Sequence, residues 1–264
     1  MELITLTIAF LIGLTLGLTG AGGSILAVPV FTYLLGYDVV TATTYSLFVV
    51  GVTSVAGAYK NYRSGNIDLK PALYFAIPSL LMVVLTRGLL VPLLPEVIVK
   101  LQWFTLHRQN LMMGLFAVLI LYAGTRMILS SSTDSARSDQ EINAQNRLLL
   151  QGAVLGTVMG FLGAGGGFMI VPVLVLFAGM DMKKAIGTSL LIISVNALSG
   201  FVAGMGALSE IDWAVLIKFS ALMIAGIIAG GYYTTKINST LLKKGFGVFI
   251  LFVAAYIVLK EFFI

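Results

Sequence analysis

The sequence predicts an all-α polytopic membrane protein made of two inverted repeats, each of about five hydrophobic segments including a short broken helix after a Gly-rich loop. Three observations carry that reading. Hydrophobic residues make up 59% of the 264 and charged residues only 10%, whereas a soluble domain is near a quarter charged. Many apolar runs approach the roughly 20 residues that span a hydrocarbon core. The chain also aligns on itself without a gap over a long internal stretch.

The long runs fall at residues 3–18, 42–58, 72–91, 111–129, 148–162, 185–202, 213–233 and 245–259. The first lacks a basic leader region and is followed at once by more apolar sequence, so it reads as a membrane helix rather than a signal peptide. Two shorter runs, 25–35 and 168–178, reach about half a bilayer at about 1.5 Å per residue. Each short run follows a Gly-rich loop, GAGGSILAVP in one case and GAGGGFMIVP in the other.

These loops anchor the repeat. Pro29 meets Pro172, 143 positions further on, and at that offset Gly36, Asp38 and Ser46 meet Gly179, Asp181 and Ser189. One extra residue in the second half then brings Asp68 onto Asp212. The domains read as a first repeat over 1–129, a polar cytoplasmic linker over 130–147 and a second repeat over 148–264, intertwined in one transport domain.

Charge sets the sense of the repeat, because cytoplasmic loops are rich in Lys and Arg. With the N-terminus outside and every run changing sides, Lys60, Arg63, Lys70, Lys183, Lys184, Lys236, Lys243 and Lys244 fall inside. The outer loops keep Lys100, Arg108 and Lys260. The second half then enters the membrane inverted relative to the first, a common transporter plan. The net charge of +5 is scattered through loops, which argues against a nucleic-acid partner.

Discontinuous helices in matching positions are the best sequence pointer to a substrate site. A helix start leaves its first N–H groups unpaired and carries the positive end of the dipole, so it receives an anion without a charged side chain. The candidate substrate residues are therefore Gly20, Ala21, Gly22, Gly23 and Ser24 in the first loop, with Gly163, Ala164, Gly165, Gly166 and Gly167 in the second. Thr44 and Ser46, and in the other half Thr188, Ser189 and Asn196, add hydroxyl and amide donors. The two loops are expected to meet near the midplane with Ser46 and Ser189 close by.

Other features have plainer readings. Gly13 with Gly17, and Gly156 with Gly160, are spaced for close helix packing. Asp38, Asp181, Asp68 and Asp212 read as turn or cap residues. Arg87 and Lys218 lie inside apolar runs, but near an outer end, where long cations are expected to snorkel. His107 reads as interfacial. One His and no Cys make a zinc site improbable and exclude thiol chemistry. The Gly-rich loops lack the third Gly of a dinucleotide fingerprint and the GK[ST] of a P-loop. No nucleophile, base and orienter constellation is present, so the expectation is no enzyme activity, no metal and no cofactor.

The duplicated pattern resembles the TauE/SafE sulfite exporter family of bacterial permeases: GLTGAGGSILAVP with GYD and ATTYS, then GFLGAGGGFMIVP with GMD and AIGTS. The resemblance implies a multi-pass protein of the bacterial inner membrane whose partners are the lipid bilayer and a small anionic substrate. Sulfur oxyanions or organosulfonates such as sulfite or sulfoacetate, moved by alternating access, are the implied cargo. An anion channel, or a membrane-embedded enzyme, are the alternatives. Ser24 stands where the second copy has Gly167, so the two loops need not bind equally. Oligomeric state is not legible.

Overall fold

The computed structural model describes residues 2–20, 22–93, 95, 97–101, 104–107, 141–162, 167–176, 178–208 and 210–234, with scattered positions between 114 and 129 and between 237 and 259. Helix α1 covers Glu2–Thr19, and α2, Gly22–Pro29, runs on into a π-helical turn at Val30–Leu34. Helix α3 is Val39–Arg63; α4, Leu69–Leu85, continues through a π turn at Thr86–Leu90 into the short α5, Val91–Leu93. A small antiparallel hairpin follows, β1 at Val97–Leu101 and β2 at Phe104–His107, with a register shift between Val97 and Val99. The second half contributes α6 (Glu141–Leu162), α7 (Gly167–Leu176), α8 (Met182–Gly204) and α9 (Trp213–Thr234).

The fold is helical, as expected, and among the described residues four helical stretches are long and apolar enough to cross a membrane: Val39–Arg63, Leu69–Leu93, Met182–Ala207 and Trp213–Thr234. The runs expected at 111–129 and 245–259 fall largely outside the described residues. Helix α6 starts at Glu141, so residues 141–147 of the expected linker are helical. The hairpin occupies a stretch that the sequence reading left as an outer loop, and His107 pairs with Val97 in it.

Local chemistry explains the helix starts. Asp38 accepts from the N–H groups of Val40 at 3.0 Å and Thr41 at 3.1 Å, and Asp181 accepts from Lys183 at 3.0 Å. Asp68 caps Lys70 at 3.3 Å and Asp212 caps Val215 at 3.1 Å. All four carboxylates are caps, worth about 1 kcal/mol each. Before the first pair, Gly36 and Gly179 take φ of +75° and +65°, a turn that side-chain-bearing residues resist.

Packing repeats with the sequence. Helices α1 and α9 run parallel, with Gly13 against Met223 and Gly17 against Ile227; a Cβ at Gly13 would lie 2.1 Å from the Met223 carbonyl oxygen. Helices α6 and α4 repeat this arrangement, Gly156 lying against Ser79 and Gly160 against Thr86. The glycine spacings are thus packing surfaces. In the centre α3 and α8 run antiparallel: Leu47 meets Gly200, Gly57 meets Leu190, and the rings of Phe48 and Phe201 are 5.0 Å apart. Short helices α2 and α7 touch. Even single bonds recur: the Asp212 N–H donates to the Tyr45 hydroxyl at 2.6 Å, and at the equivalent place the Asp68 N–H donates to Thr188 at 3.0 Å.

Buried Phe31, Tyr45, Phe75, Leu190, Ile192 and Met223 fill the interior, while Leu69, Leu73, Ile77 and Leu81 form an exposed apolar stripe on α4. Their four-residue spacing keeps them on one helix face, which suits contact with lipid tails.

Candidate anion site

Arg87 lies near the outer end of the apolar run 72–91, and the chain around it departs from regular helix. Pro92 lacks the N–H that would bond the Gly88 carbonyl, and the backbone passes through the π turn just before it. Such turns collect at functional positions. Only 2% of Arg87 is exposed, so it does not snorkel; it turns into the bundle. The reason is a matched set of acceptors on α3. The Arg87 Nη2 donates to the Val40 carbonyl at 3.1 Å, to the Thr43 hydroxyl at 2.7 Å and to the Thr44 hydroxyl. Both threonines spend their own protons on the Val40 carbonyl, at 3.0 and 2.7 Å, so their lone pairs face the guanidinium. Gly204 provides the space, since a Cβ there would sit 2.7 Å from Arg87 Nε. Lys218, the other cation in an apolar run, is exposed on the outside of the bundle.

Arg87 lines a cavity of about 360 Å³ together with Asp38, Val40, Val91, Pro92, Gly204 and Ala207. Asp38 and Ala207 are exposed and mark its mouth. A water takes roughly 30 Å³ of liquid, so a small hydrated anion fits. In the connection between the Val30–Leu34 turn and α3, burial first and then the charge of Asp212 push the Tyr37 phenol up from its ordinary 10.0, so it stays protonated.

The residues expected from sequence to bind substrate divide into groups. Thr44 belongs to the set of hydroxyls that hold Arg87. Ser46 is fully buried and its hydroxyl has no hydrogen-bond partner. Ser189 donates to the Gly20 carbonyl at 3.1 Å and to Ile186 at 2.8 Å, tying the first Gly-rich break to α8. Gly20 has φ of +71°, and Gly23 packs on α1, where a Cβ would lie 2.2 Å from the Ile12 carbonyl. Ser24 is fully buried. Thr188 receives the Asp68 N–H, and the Asn196 amide donates to Ser79 at 2.7 Å. Gly22 and Gly167 are the first residues of α2 and α7. Ala21, Gly163, Ala164, Gly165 and Gly166 lie outside the described residues.

One expectation fails. Ser46 and Ser189 do not sit together, because the helices that carry them are antiparallel: Leu190 is level with Gly57, which is about eleven residues, or roughly 17 Å, along α3 from Ser46. Sequence reasoning also undervalued Arg87. The available signal was a cation in an apolar run shortly before a proline.

The sequence profile of the family described as "Sulfite exporter TauE/SafE" matches residues 5–257. This chain belongs to that family. Similar proteins include a "Probable membrane transporter protein" of Xylella fastidiosa strain 9a5c, 28% identical over 98% of this chain and 95% of the relative. The Bacillus subtilis "Probable membrane transporter protein YdhB" is 27% identical over 92% and 94%. The Methanocaldococcus jannaschii "Probable membrane transporter protein MJ0441" is 26% identical over 90% and 86%. No solved structure gave a significant match. The TauE/SafE chain is therefore a multi-pass membrane transporter and not an enzyme.

Proposed function

We propose that this transporter carries small anions, sulfur oxyanions or organosulfonates such as sulfite or sulfoacetate, by alternating access across the inner membrane of a bacterial cell. The observation that carries the anion reading is Arg87, a charge 2% exposed inside a membrane-length helix and facing a cavity. An arginine buried within a membrane helix is costly, and such residues mark substrate paths. Its planar fork of N–H donors matches the oxygens of sulfite or a sulfonate better than a point charge does. The buried Ser46 hydroxyl without a partner is a further donor in this reading; the N–H groups at Gly22 to Ser24, in the break that Ser189 ties to α8 away from Ser46, and those at Gly163 to Gly167 serve other points along the path.

Alternating access is supported by the packing. Equivalent helices α3 and α8 are antiparallel, which fits two halves inverted about an axis in the membrane plane. The test is binding by purified protein, read as thermal shift against sulfite, thiosulfate, sulfate, sulfoacetate, taurine and the non-sulfur anions chloride and nitrate. A sulfur oxyanion or sulfonate should stabilise the wild type, and Arg87→Met should weaken that binding about tenfold or more, with Arg87→Lys intermediate. Wild-type affinity in a folded Arg87→Met protein would remove Arg87 from the site.

A further inference from the structure

We propose a second station for the same class of small oxyanion at the opposite end of the bundle, built on Lys60; the proposal rests on the transporter reading above. A second, smaller cavity of about 30 Å³ lies among Lys60, Asn61, Ser64, Lys183 and Gly231. The internal repeat carries the first cavity onto it. Val40, Gly204 and Ala207 correspond to Lys183, Asn61 and Ser64 at the offset that joins Pro29 to Pro172, and Arg87 corresponds to Gly231 with the same one-residue slip that joins Asp68 to Asp212.

The cation has moved while its place has not. Where one end has Arg87 in the π turn after α4, the other has Gly231 on α9, and the vacated space is taken by Lys60 from α3, whose Nζ is 3.1 Å from a Cβ built at Gly231. In turn, the counterpart of Lys60 is Ala203, which lies against Gly88 beside Arg87. Each end thus presents a cation at this equivalent place, delivered by different helices, and at the second end Lys183 lines the cavity as well. Lys60 is held by the Ile228 carbonyl at 3.0 Å, a neutral acceptor that leaves its charge available. The cavity at the Arg87 end is roomy and that at the Lys60 end is nearly closed, as two alternately exposed ends of one path would be in a single conformation.

The chain has no Cys, so a single Ser64→Cys reports on this end; Ser64 is exposed. Its reaction rate with the anionic, sulfonate-bearing 2-sulfonatoethyl methanethiosulfonate is divided by that with neutral methyl methanethiosulfonate. The ratio should fall about fivefold when Lys60→Met is added and recover when Gly231→Arg restores a cation from the α9 side. At Ala207→Cys, beside Arg87, Lys60→Met should leave the ratio unchanged. A ratio at Ser64→Cys that ignores Lys60, or that Gly231→Arg fails to restore, overturns the proposal; Lys60→Gln stands in if the Met variant does not fold. Failure of the anion-transport reading would show elsewhere, as no thermal shift of the wild type with any anion, and leaves these ratios readable.

Discussion

Arg87 and Lys218 carry the same charge in apolar runs, and neighbours remote in sequence separate their fates. Thr43, an acceptor for Arg87, is 44 positions away, and the room comes from Gly204 on a third helix, so neither was legible from the run itself. The four capping aspartates were legible because a cap and its N–H groups are local. Tyr37 lies between these cases: its phenol is raised by burial and by Asp212, a partner only the fold supplies. A raised pKa means that the folded state holds the proton more tightly, so the full contribution is present below the ordinary value near 10.0 and is lost as pH rises toward the folded value. Tyr37→Phe should therefore flatten the alkaline limb of the stability curve above about pH 10 and leave stability unchanged in shape at neutral pH. An unaltered alkaline limb in thermal melts of the variant would show that Tyr37 does not titrate with unfolding.

At the scale of elements, the paired helices were foreseen from small-residue spacing, since residues four apart share a face whatever the partner is. The partner itself was not. Gly13 lies against Met223 and Gly156 against Ser79, each a contact between helices far apart in the chain. The start of α6 within a polar stretch was also missed, because polar composition marks solvent contact and does not forbid helix. The close approach makes a sharp prediction: an added methyl at Gly13 or Gly156 meets a backbone carbonyl oxygen at 2.1 or 2.4 Å and must push two helices apart. Overpacking of this kind costs about 1–3 kcal/mol. Gly13→Ala and Gly156→Ala should each lower the melting temperature in detergent by several degrees, whereas Gly206→Ala, with nothing within 4 Å, should not. Equal melting temperatures for all three would mean that the helix pairs are looser than this packing.

For the whole molecule, duplication was legible as residue identity and the charge pattern pointed to its inverted sense, but the separation of equivalent residues that inversion brings was not drawn. The sequence reading placed Ser46 and Ser189 together beside two Gly-rich loops expected to meet near the midplane; an antiparallel pair of equivalent helices instead sends equivalent residues toward opposite ends. That relation also fixes where the helix ends lie. Helix α3 ends at Arg63 and α8 at Gly204, and because Leu47 meets Gly200 while Gly57 meets Leu190, those two ends are at opposite extremes of the bundle. Lys60 and Arg63 in the last turn of α3 argue that its end faces the cytoplasm, which puts the end of α8 outside. The check uses the absence of native Cys: a membrane-impermeant thiol reagent applied to intact cells should label Gly206→Cys and not Ser64→Cys, and inside-out vesicles should reverse the result. Labelling of both from one side would mean that the two halves are not inverted across the membrane, and the cavities at Arg87 and Lys60 would then have to open to the same compartment.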